Sequence, residues 1–258
     1  MHVHDVILLF AAALLAGIAN SLASGGSFIS FPALLLTGVP AIPANATNTM
    51  ALLPGTIASA GAYWSRLRPH YRLMARLAPL GLAGGLLGAL ILLRTPPRTF
   101  LKMVPWLLLV STIIFVFSGR ITAWVRRRTA AHPRVSGLTT AVIVFLQFLV
   151  CIYTGYFGAG AGIPFLALFA LMGLENIHAI NGLRTYLISV CNLAALGAFL
   201  AAGAILWPQA AVMTAGAVLG GFGGAHFAQK MNPRGVRYLI IAIGFGMAGY
   251  FFFKTASV

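Results

Sequence analysis

The sequence predicts an all-α polytopic membrane protein built from two inverted repeats. Three observations lead to this fold class. Of the 258 residues, 60% are apolar and only 7% are charged, whereas about a quarter of the residues in a soluble domain are charged. The apolar residues fall into runs long enough to cross a bilayer. In addition, an arrangement of short runs, glycines and polar residues in the first half of the chain returns in the second half.

The apolar runs define the membrane segments in order. A helix needs about 20 apolar residues to span a bilayer; eight runs are long enough, and two are only half that length. The runs cover residues 6–22, 28–37, 44–64, 73–93, 100–117, 138–156, 163–172, 177–202, 208–228 and 236–253. The sequence thus predicts eight long transmembrane helices plus two short half-helices broken off by glycine, which gives eight to ten segments.

The two short runs are the same feature occurring twice. A glycine-rich break at residues 24–27 precedes the first, and a second break at residues 158–162 precedes the other, about 135 positions later. A polar pentapeptide then opens the next long helix, at residues 45–49 in one half and 181–185 in the other. The chain is therefore predicted to be a duplication. The predicted parts are a first repeat at 1–119, a basic connecting loop at 120–137 and a second repeat at 138–258.

Basic residues predict the orientation of the repeats. The chain has 17 Lys and Arg but only two acids, and its formal net charge is +15. In a soluble protein this excess would indicate a nucleic-acid partner. Here the basic residues lie in short loops between apolar runs, as the positive-inside rule describes, so no nucleic acid is expected. If each repeat crosses an odd number of times, the two sides hold 12 and 4 basic loop residues, against 10 and 6 for an even number. The odd count predicts inverted repeats with both termini outside.

The paired breaks predict a binding site for a small anion. Inverted repeats interrupted at matching positions form sites near the bilayer midplane, where half-helix ends present N–H groups. The expected backbone and hydroxyl donors at the breaks are Ser24, Gly25, Gly26, Gly160, Ala161 and Gly162. The expected polar side chains are Asn45, Thr47, Asn48, Thr49, Asn181 and Thr185, with Tyr156 as a further lining residue. Neither a metal nor a cofactor is predicted.

Arg184 is the single basic residue outside the loop clusters, and it lies inside an apolar run. A charge there costs about 2.5 kcal/mol or more unless it is compensated. Two interpretations stay open: a structural ion pair with Glu175, or a guanidinium that binds a charged ligand, since its planar fork matches an oxyanion in a bidentate manner. Glu175 and His178 form the only plausible titrating pair, so transport alone and proton-coupled transport both remain open.

Residues 25–48 carry a family resemblance. Gly25-Gly26, Phe31-Pro32, Gly38 and Ala44-Asn45-Ala46-Thr47-Asn48 form a pattern that resembles the sulfite exporter TauE/SafE family of membrane permeases. A weaker second copy over residues 158–185 carries Leu183 and Arg184 where a Thr-Ser or Thr-Asn pair is more usual. The resemblance extends over essentially the whole chain. It implies a non-enzymatic permease for sulfite, sulfonates and related sulfur-containing anions in the cytoplasmic (inner) membrane, and we expect alternating access around one midplane site.

Two other functions are weighed against this expectation. An intramembrane serine protease would use Ser24 as nucleophile and His226 as base, although the second break has no hydroxyl at the matching position. A cation or metal permease would need clustered ligands, but the histidines are scattered and no acids are paired. Cys151 and Cys191 lie in apolar runs and are predicted to be small buried side chains. A homo-oligomer remains open.

Overall fold

The chain is helical because a backbone in lipid must satisfy its own hydrogen bonds. Without water in the bilayer core, each N–H and C=O needs a partner within the protein, and a helix supplies it. The computed structural model describes residues 1–23, 25–131, 137–174, 176–227 and 233–256. It is 88% helical, and these residues contain no strand. The predicted all-α class is confirmed.

Within the described residues, eight helices have 20 to 35 residues and two have 10. In chain order the helices are α1 (Val3–Ala23), α2 (Ser27–Leu36), α3 (Ala41–Ala62), the four-residue α4 (Trp64–Leu67), α5 (Tyr71–Arg94), α6 (Pro97–Ala131), α7 (Gly137–Tyr156), α8 (Gly162–Leu171), α9 (Ile177–Ala201), α10 (Trp207–Phe227) and α11 (Pro233–Ala256). A 3-10 turn at Arg68–His70 follows α4.

Four stretches of the described chain are long and apolar enough to cross a membrane. They are Val3–Asn20, Trp64–Arg94, Pro97–Arg120 and His178–Ala201. Shorter apolar helices include α2 and α8, the two half-length segments that the sequence predicts. The fold is therefore that of a multi-pass membrane protein, while the number of crossings stays a prediction.

The connecting region differs from the prediction. Residues 120–131, expected to begin a loop, continue α6 as helix, and α7 already begins at Gly137. The stretch 120–131 contains neither Gly nor Pro and is rich in Arg and Ala. These are strong helix formers, so α6 extends beyond its apolar part. Residues 132–136 of the predicted loop lie outside the described residues.

Glycines allow the long helices to approach at backbone distance, as is usual between membrane helices. A methyl group on Gly220 of α10 would overlap the Leu14 carbonyl of α1, and one on Gly17 of α1 would overlap the backbone of α10 between Ala217 and Gly221. Gly216 lies against Phe10, one turn earlier on both helices. From one contact to the next, the residue numbers increase in the same direction along both helices, so α1 and α10 run parallel.

Helix α5 packs against α7 and α9 in the same manner. The facing pairs are Gly84 with Cys151, Gly88 with Ile152, Gly81 with Leu187, and Gly85 with Cys191. The residue numbers again increase in the same direction along both partners, for α5 with α7 and for α5 with α9. Helices α7 and α9 therefore both run parallel to α5. Both cysteines are fully buried, as predicted for small apolar side chains.

Helices α3 and α9 run in opposite directions. Gly182, near the start of α9, lies against Tyr63 and Leu67, just past the end of α3. Near the start of α3, the Thr47 hydroxyl accepts a hydrogen bond of 3.0 Å from the Leu206 N–H, just past the end of α9. Each helix therefore begins beside the segment that follows the other, which is an antiparallel arrangement.

The helix pairs in contact fall into matched sets. In the predicted duplication, α1, α2, α3, α5 and α6 correspond to α7, α8, α9, α10 and α11 in that order. The α1–α10 contact then matches α5–α7, and α3–α10 matches α5–α9. Likewise α2–α11 matches α6–α8, and α1–α2 matches α7–α8. The α3–α9 and α6–α11 pairs correspond to themselves. A duplication predicts this pattern. The repeat boundaries at residues 119 and 138 stay a prediction.

The α1–α10 packing gives a test with a control in the neighbouring position. Gly220→Ala places a methyl group against the Leu14 backbone, and we expect the thermal midpoint of the detergent-solubilised protein to fall by about 5 °C, because overpacking costs about 1–3 kcal/mol. A Cβ on Gly221 meets nothing within 4 Å, so Gly221→Ala should leave the midpoint unchanged or raise it. Equal midpoints for the two variants would contradict this packing.

Candidate functional site

The first glycine break is held by side chains from its neighbouring helices. The Gly26 N–H donates to Asn20 Oδ1 at 2.8 Å. The Ser30 hydroxyl of α2 donates to Asn48 Oδ1 of α3 at 2.5 Å and lies 3.1 Å from the Gly26 carbonyl oxygen. Gly25 is buried against Ile240 of α11. The Gly26 amide, expected to bind an anion, is thus used within the protein. Ser24 lies outside the described residues.

The second break is a turn built on two left-handed glycines. Gly158 has φ of 76° and Gly160 has φ of 75°, a region that favours glycine. The Ala161 N–H donates to the Gly158 carbonyl at 3.2 Å, and the Ile163 N–H donates to the Gly160 carbonyl at 3.2 Å. Gly160, Ala161 and Gly162 are all buried. Two N–H groups at this break are therefore already bonded to carbonyl groups of the break itself.

A tyrosine fastens the second break to α6. The Tyr153 hydroxyl donates to the Ala159 carbonyl at 2.5 Å and lies 2.6 Å from the Ser111 hydroxyl. Since the one Tyr153 proton goes to Ala159, Ser111 is the donor in the second bond. Gly160 lies beside Phe28 of α2 as well as Ser111. The start of α2 therefore approaches the second break, although sequence analysis did not select Ser111.

The remaining polar residues of the first pentapeptide mostly contact protein atoms. Asn45 is buried, and its Nδ2 donates to the Tyr156 carbonyl at 3.1 Å, while its Oδ1 is without a partner among the described residues. The Thr49 hydroxyl donates to the Asn45 carbonyl one turn back at 2.9 Å. The Tyr156 ring stacks edge-on against Phe100. Tyr156 thus contributes its backbone to the contact with α3.

The second pentapeptide has the same local bonding. The Thr185 hydroxyl donates to the Asn181 carbonyl at 2.8 Å, and the Ser189 hydroxyl donates to the Thr185 carbonyl at 2.8 Å. Asn181 is half-buried and Thr185 is buried. These back-bonds to the preceding turn satisfy the hydroxyl protons without a ligand.

Arg184 differs from these residues because it has no hydrogen-bond partner in the described part of the chain. It is half-buried, its Nε is fully buried, and no hydrogen bond to it occurs among the described residues. The Tyr63 side chain lies near the guanidinium. By contrast the half-buried Arg237 donates to the Val116 carbonyl at 2.8 Å and to the Phe115 carbonyl at 3.4 Å. Arg237 thus has backbone acceptors for its guanidinium, whereas Arg184 Nε has none among the described residues.

The structure does not bring Arg184 and Asn48 together. Asn48 lies 15 residues before Tyr63, or about 22 Å along α3 at 1.5 Å per residue. Arg184 lies two residues after Gly182, which packs on Tyr63. The two side chains are therefore at different depths, about 20 Å apart along the helices. The expected single site holding both residues needs correction, because antiparallel helices carry matching positions to opposite ends.

The other residues considered in the sequence fall at the edges of the described structure. His178 is exposed at the start of α9, and its N–H donates to the capping Asn176 Oδ1 at 2.9 Å. Glu175 lies outside the described residues, as does the side chain of His226. In the part of the chain that the structure describes, no three His, Cys, Asp or Glu side chains form a group.

An apolar cavity of about 460 Å³ lies beside the second break, between α6, α7 and α8. Among its lining residues only Ser111 and Tyr153 have polar side chains, and their hydroxyls bond to each other. Gly160 and Pro164 also line it. The cavity offers space for an apolar group and no free charge.

Comparison with known proteins identifies the family. The family model described as sulfite exporter TauE/SafE matches residues 9–251. The chain belongs to the TauE/SafE family. It is 31% identical to a probable membrane transporter protein of Haemophilus influenzae, over 93% of this chain and 91% of that one. It is 28% identical to the probable membrane transporter protein ORF9 of a Sinorhizobium species, over 95% and 91% of the two chains.

A third relative has a similar extent. The probable membrane transporter protein YfcA of Escherichia coli strain K12 is 26% identical, over 92% of this chain and 85% of that one. No solved structure matches the chain. The TauE/SafE protein described here is therefore a membrane transporter, as the resemblance in residues 25–48 implies.

The bond between α2 and α3 in this TauE/SafE protein can be measured with a double-mutant cycle. Ser30→Ala and Asn48→Ala each remove the same hydrogen bond, so the double variant should cost less than the sum of the two single variants. We expect a coupling free energy of about 1 kcal/mol, within the range found between membrane helices. The readout is the unfolding of the purified protein in detergent micelles. Strictly additive costs would show that the two side chains do not interact.

Proposed function

We propose that this TauE/SafE protein carries small sulfur-containing oxyanions, such as sulfite or sulfonates, across the cytoplasmic membrane, and that Arg184 binds the anion. One observation carries the proposal: Arg184 is half-buried, and its Nε is fully buried without an acceptor among the described residues. An oxyanion supplies acceptors in the planar geometry that the guanidinium matches.

The energetic argument favours a ligand at this position. A charge inside a membrane helix costs roughly 2.5–3.5 kcal/mol on insertion scales. A buried polar group without a partner adds about 1–3 kcal/mol, and more when it is charged. Arg237 donates to two backbone carbonyls, whereas the buried Arg184 Nε has no acceptor in the part of the chain that the structure describes. A bound anion offsets both costs, because it supplies a countercharge and hydrogen-bond acceptors together.

The first polar cluster suits a different role. At Asn45 the open atom is an oxygen, which repels an anion, and Asn48 Oδ1 is already engaged by Ser30. The bonds from Ser30 to Asn48 and from Asn45 to Tyr156 join α2, α3 and α7. In the proposed mechanism these contacts close the path at the Leu206 side while the anion is bound at Arg184.

Alternating access between inverted repeats would open and close the two ends in turn. The matched helix pairs and the antiparallel course of α3 and α9 support the proposed repeats. By the positive-inside rule, the basic residues around α4 favour a cytoplasmic location for that segment, and the uncharged turn before α10 favours an external one. Arg184 then lies towards the cytoplasmic end of the path and both termini lie outside.

The central variant is Arg184→Ala in proteoliposomes. We expect sulfite or sulfonate uptake to fall to the level of empty liposomes, because the charged group proposed to bind the anion is removed. Arg184→Lys keeps the charge but loses the bidentate fork, so it should retain a small fraction of the rate. The matched control Arg72→Ala removes an exposed arginine and should transport normally. Full transport by folded Arg184→Ala protein would contradict the assignment.

The proposed topology is tested by labelling single cysteines in a Cys151→Ala, Cys191→Ala background. Ser65 and Ala202 are both exposed, in α4 and at the end of α9 respectively. A membrane-impermeant maleimide should label Ala202→Cys in intact cells, and label Ser65→Cys only after permeabilisation. Labelling of both from the same side would refute the inverted arrangement.

A further inference from the structure

Gln147 is a buried polar residue that neither the sequence analysis nor the proposed site includes. It lies in the middle of α7 and is 0% exposed. Its Nε2 donates weakly to the Met172 sulfur at 3.8 Å, and its Oε1 is fully buried without a partner among the described residues. A thioether accepts but cannot donate, so the NH₂ group faces the sulfur and the oxygen faces away from it.

The register of α7 and α9 places Gln147 near Arg184. Both helices run parallel to α5, and Gly84 and Gly85 of α5 face Cys151 and Cys191. The two cysteines lie close enough to influence each other, and α7 and α9 are in contact. Gln147 is one turn before Cys151, and Arg184 is two turns before Cys191. Because residues four and seven apart share a helix face, both side chains lie on the faces that meet at the cysteines.

The spacing suits a small ligand between the two side chains. Along the helix axes, Arg184 lies about one turn, roughly 5 Å, nearer to the N-terminal ends of the two helices than Gln147. Packed helices are about 8–10 Å apart. The two Cα atoms are therefore about 10 Å apart. A guanidinium and a carboxamide extending from positions at this spacing can contact opposite ends of one small molecule.

We propose that Gln147 lies in the same binding pocket as Arg184 and accepts a hydrogen bond from the transported anion. This inference rests on the proposed function and narrows its substrate class. The guanidinium takes the oxyanion, and the open Oε1 takes a donor on the same molecule. The substrate is then an oxyanion that also carries a hydroxyl, an ammonium group or an acidic proton, as hydrogen sulfite or a hydroxyalkyl sulfonate does.

Two sulfonates of nearly equal size test the inference. Isethionate carries a hydroxyl group, whereas propanesulfonate has a methyl group in its place. Dissociation constants come from the concentration dependence of thermal stabilisation of the purified full-length protein in detergent. The wild-type protein should bind isethionate about tenfold more tightly, since leaving a buried acceptor unpaired carries a penalty. Gln147→Met, which keeps the length of the side chain but loses the acceptor, should bring this ratio to about one.

Controls separate the inference from the proposed function. Phe145→Leu changes an exposed residue of the same helix and should keep the tenfold ratio. If Gln147→Met does not fold, the shorter Gln147→Asn should also lose most of the preference. A wild-type protein without the preference, or one that binds neither sulfonate, overturns the inference, as does a preference that survives in a folded Gln147 variant. Unchanged binding of both sulfonates by Arg184→Ala overturns the proposed function instead.

Discussion

An arginine that lies inside packed helices, and whose buried Nε has no acceptor among the described residues, is the constraint on which the proposed transport site depends. Arg184 cannot easily move to a helix end, because α9 is fixed on both sides of it. Before Arg184, Gly182 packs against Tyr63 and Leu67, and after it α9 lies at backbone distance from Gly85 of α5. The cost of this charge persists as long as those contacts hold, and a bound anion relieves it.

Matching positions in the two halves of the chain differ chemically. Matching helices make matching contacts, yet Asn48 meets Ser30, while its counterpart Arg184 meets no hydrogen-bond acceptor in the described structure. Because α3 and α9 run antiparallel, these two positions lie at opposite ends of the pair. In the proposed mechanism, neutral side chains close one end of the path and the other end holds a positive charge, so the proposed binding site is not symmetric.

Much of the fold follows from patterns along the chain, but the site depends on partners from distant helices. The half-length helices and the breaks before them could be predicted, because run length and glycine placement are local features. The Asn20 bond to Gly26 and the depth of Asn48 relative to Arg184 could not, since both depend on how whole helices pack. Gln147 could not be predicted as a site residue, because a single amide in an apolar run is usually explained by a hydrogen bond between helices. Its open oxygen is visible only in three dimensions.

The most direct measurement is the crystal structure of the full chain after its crystals are soaked in selenate. Selenate is heavier than the sulfur oxyanions, and anomalous scattering locates its selenium atom. The account predicts one strong anomalous peak within hydrogen-bond distance of the Arg184 guanidinium in the wild-type protein, and its loss in Arg184→Gln. A peak only at the glycine breaks or near the Asn45 and Asn48 side chains would contradict it. So would an Arg184 guanidinium paired with a carboxylate of the protein.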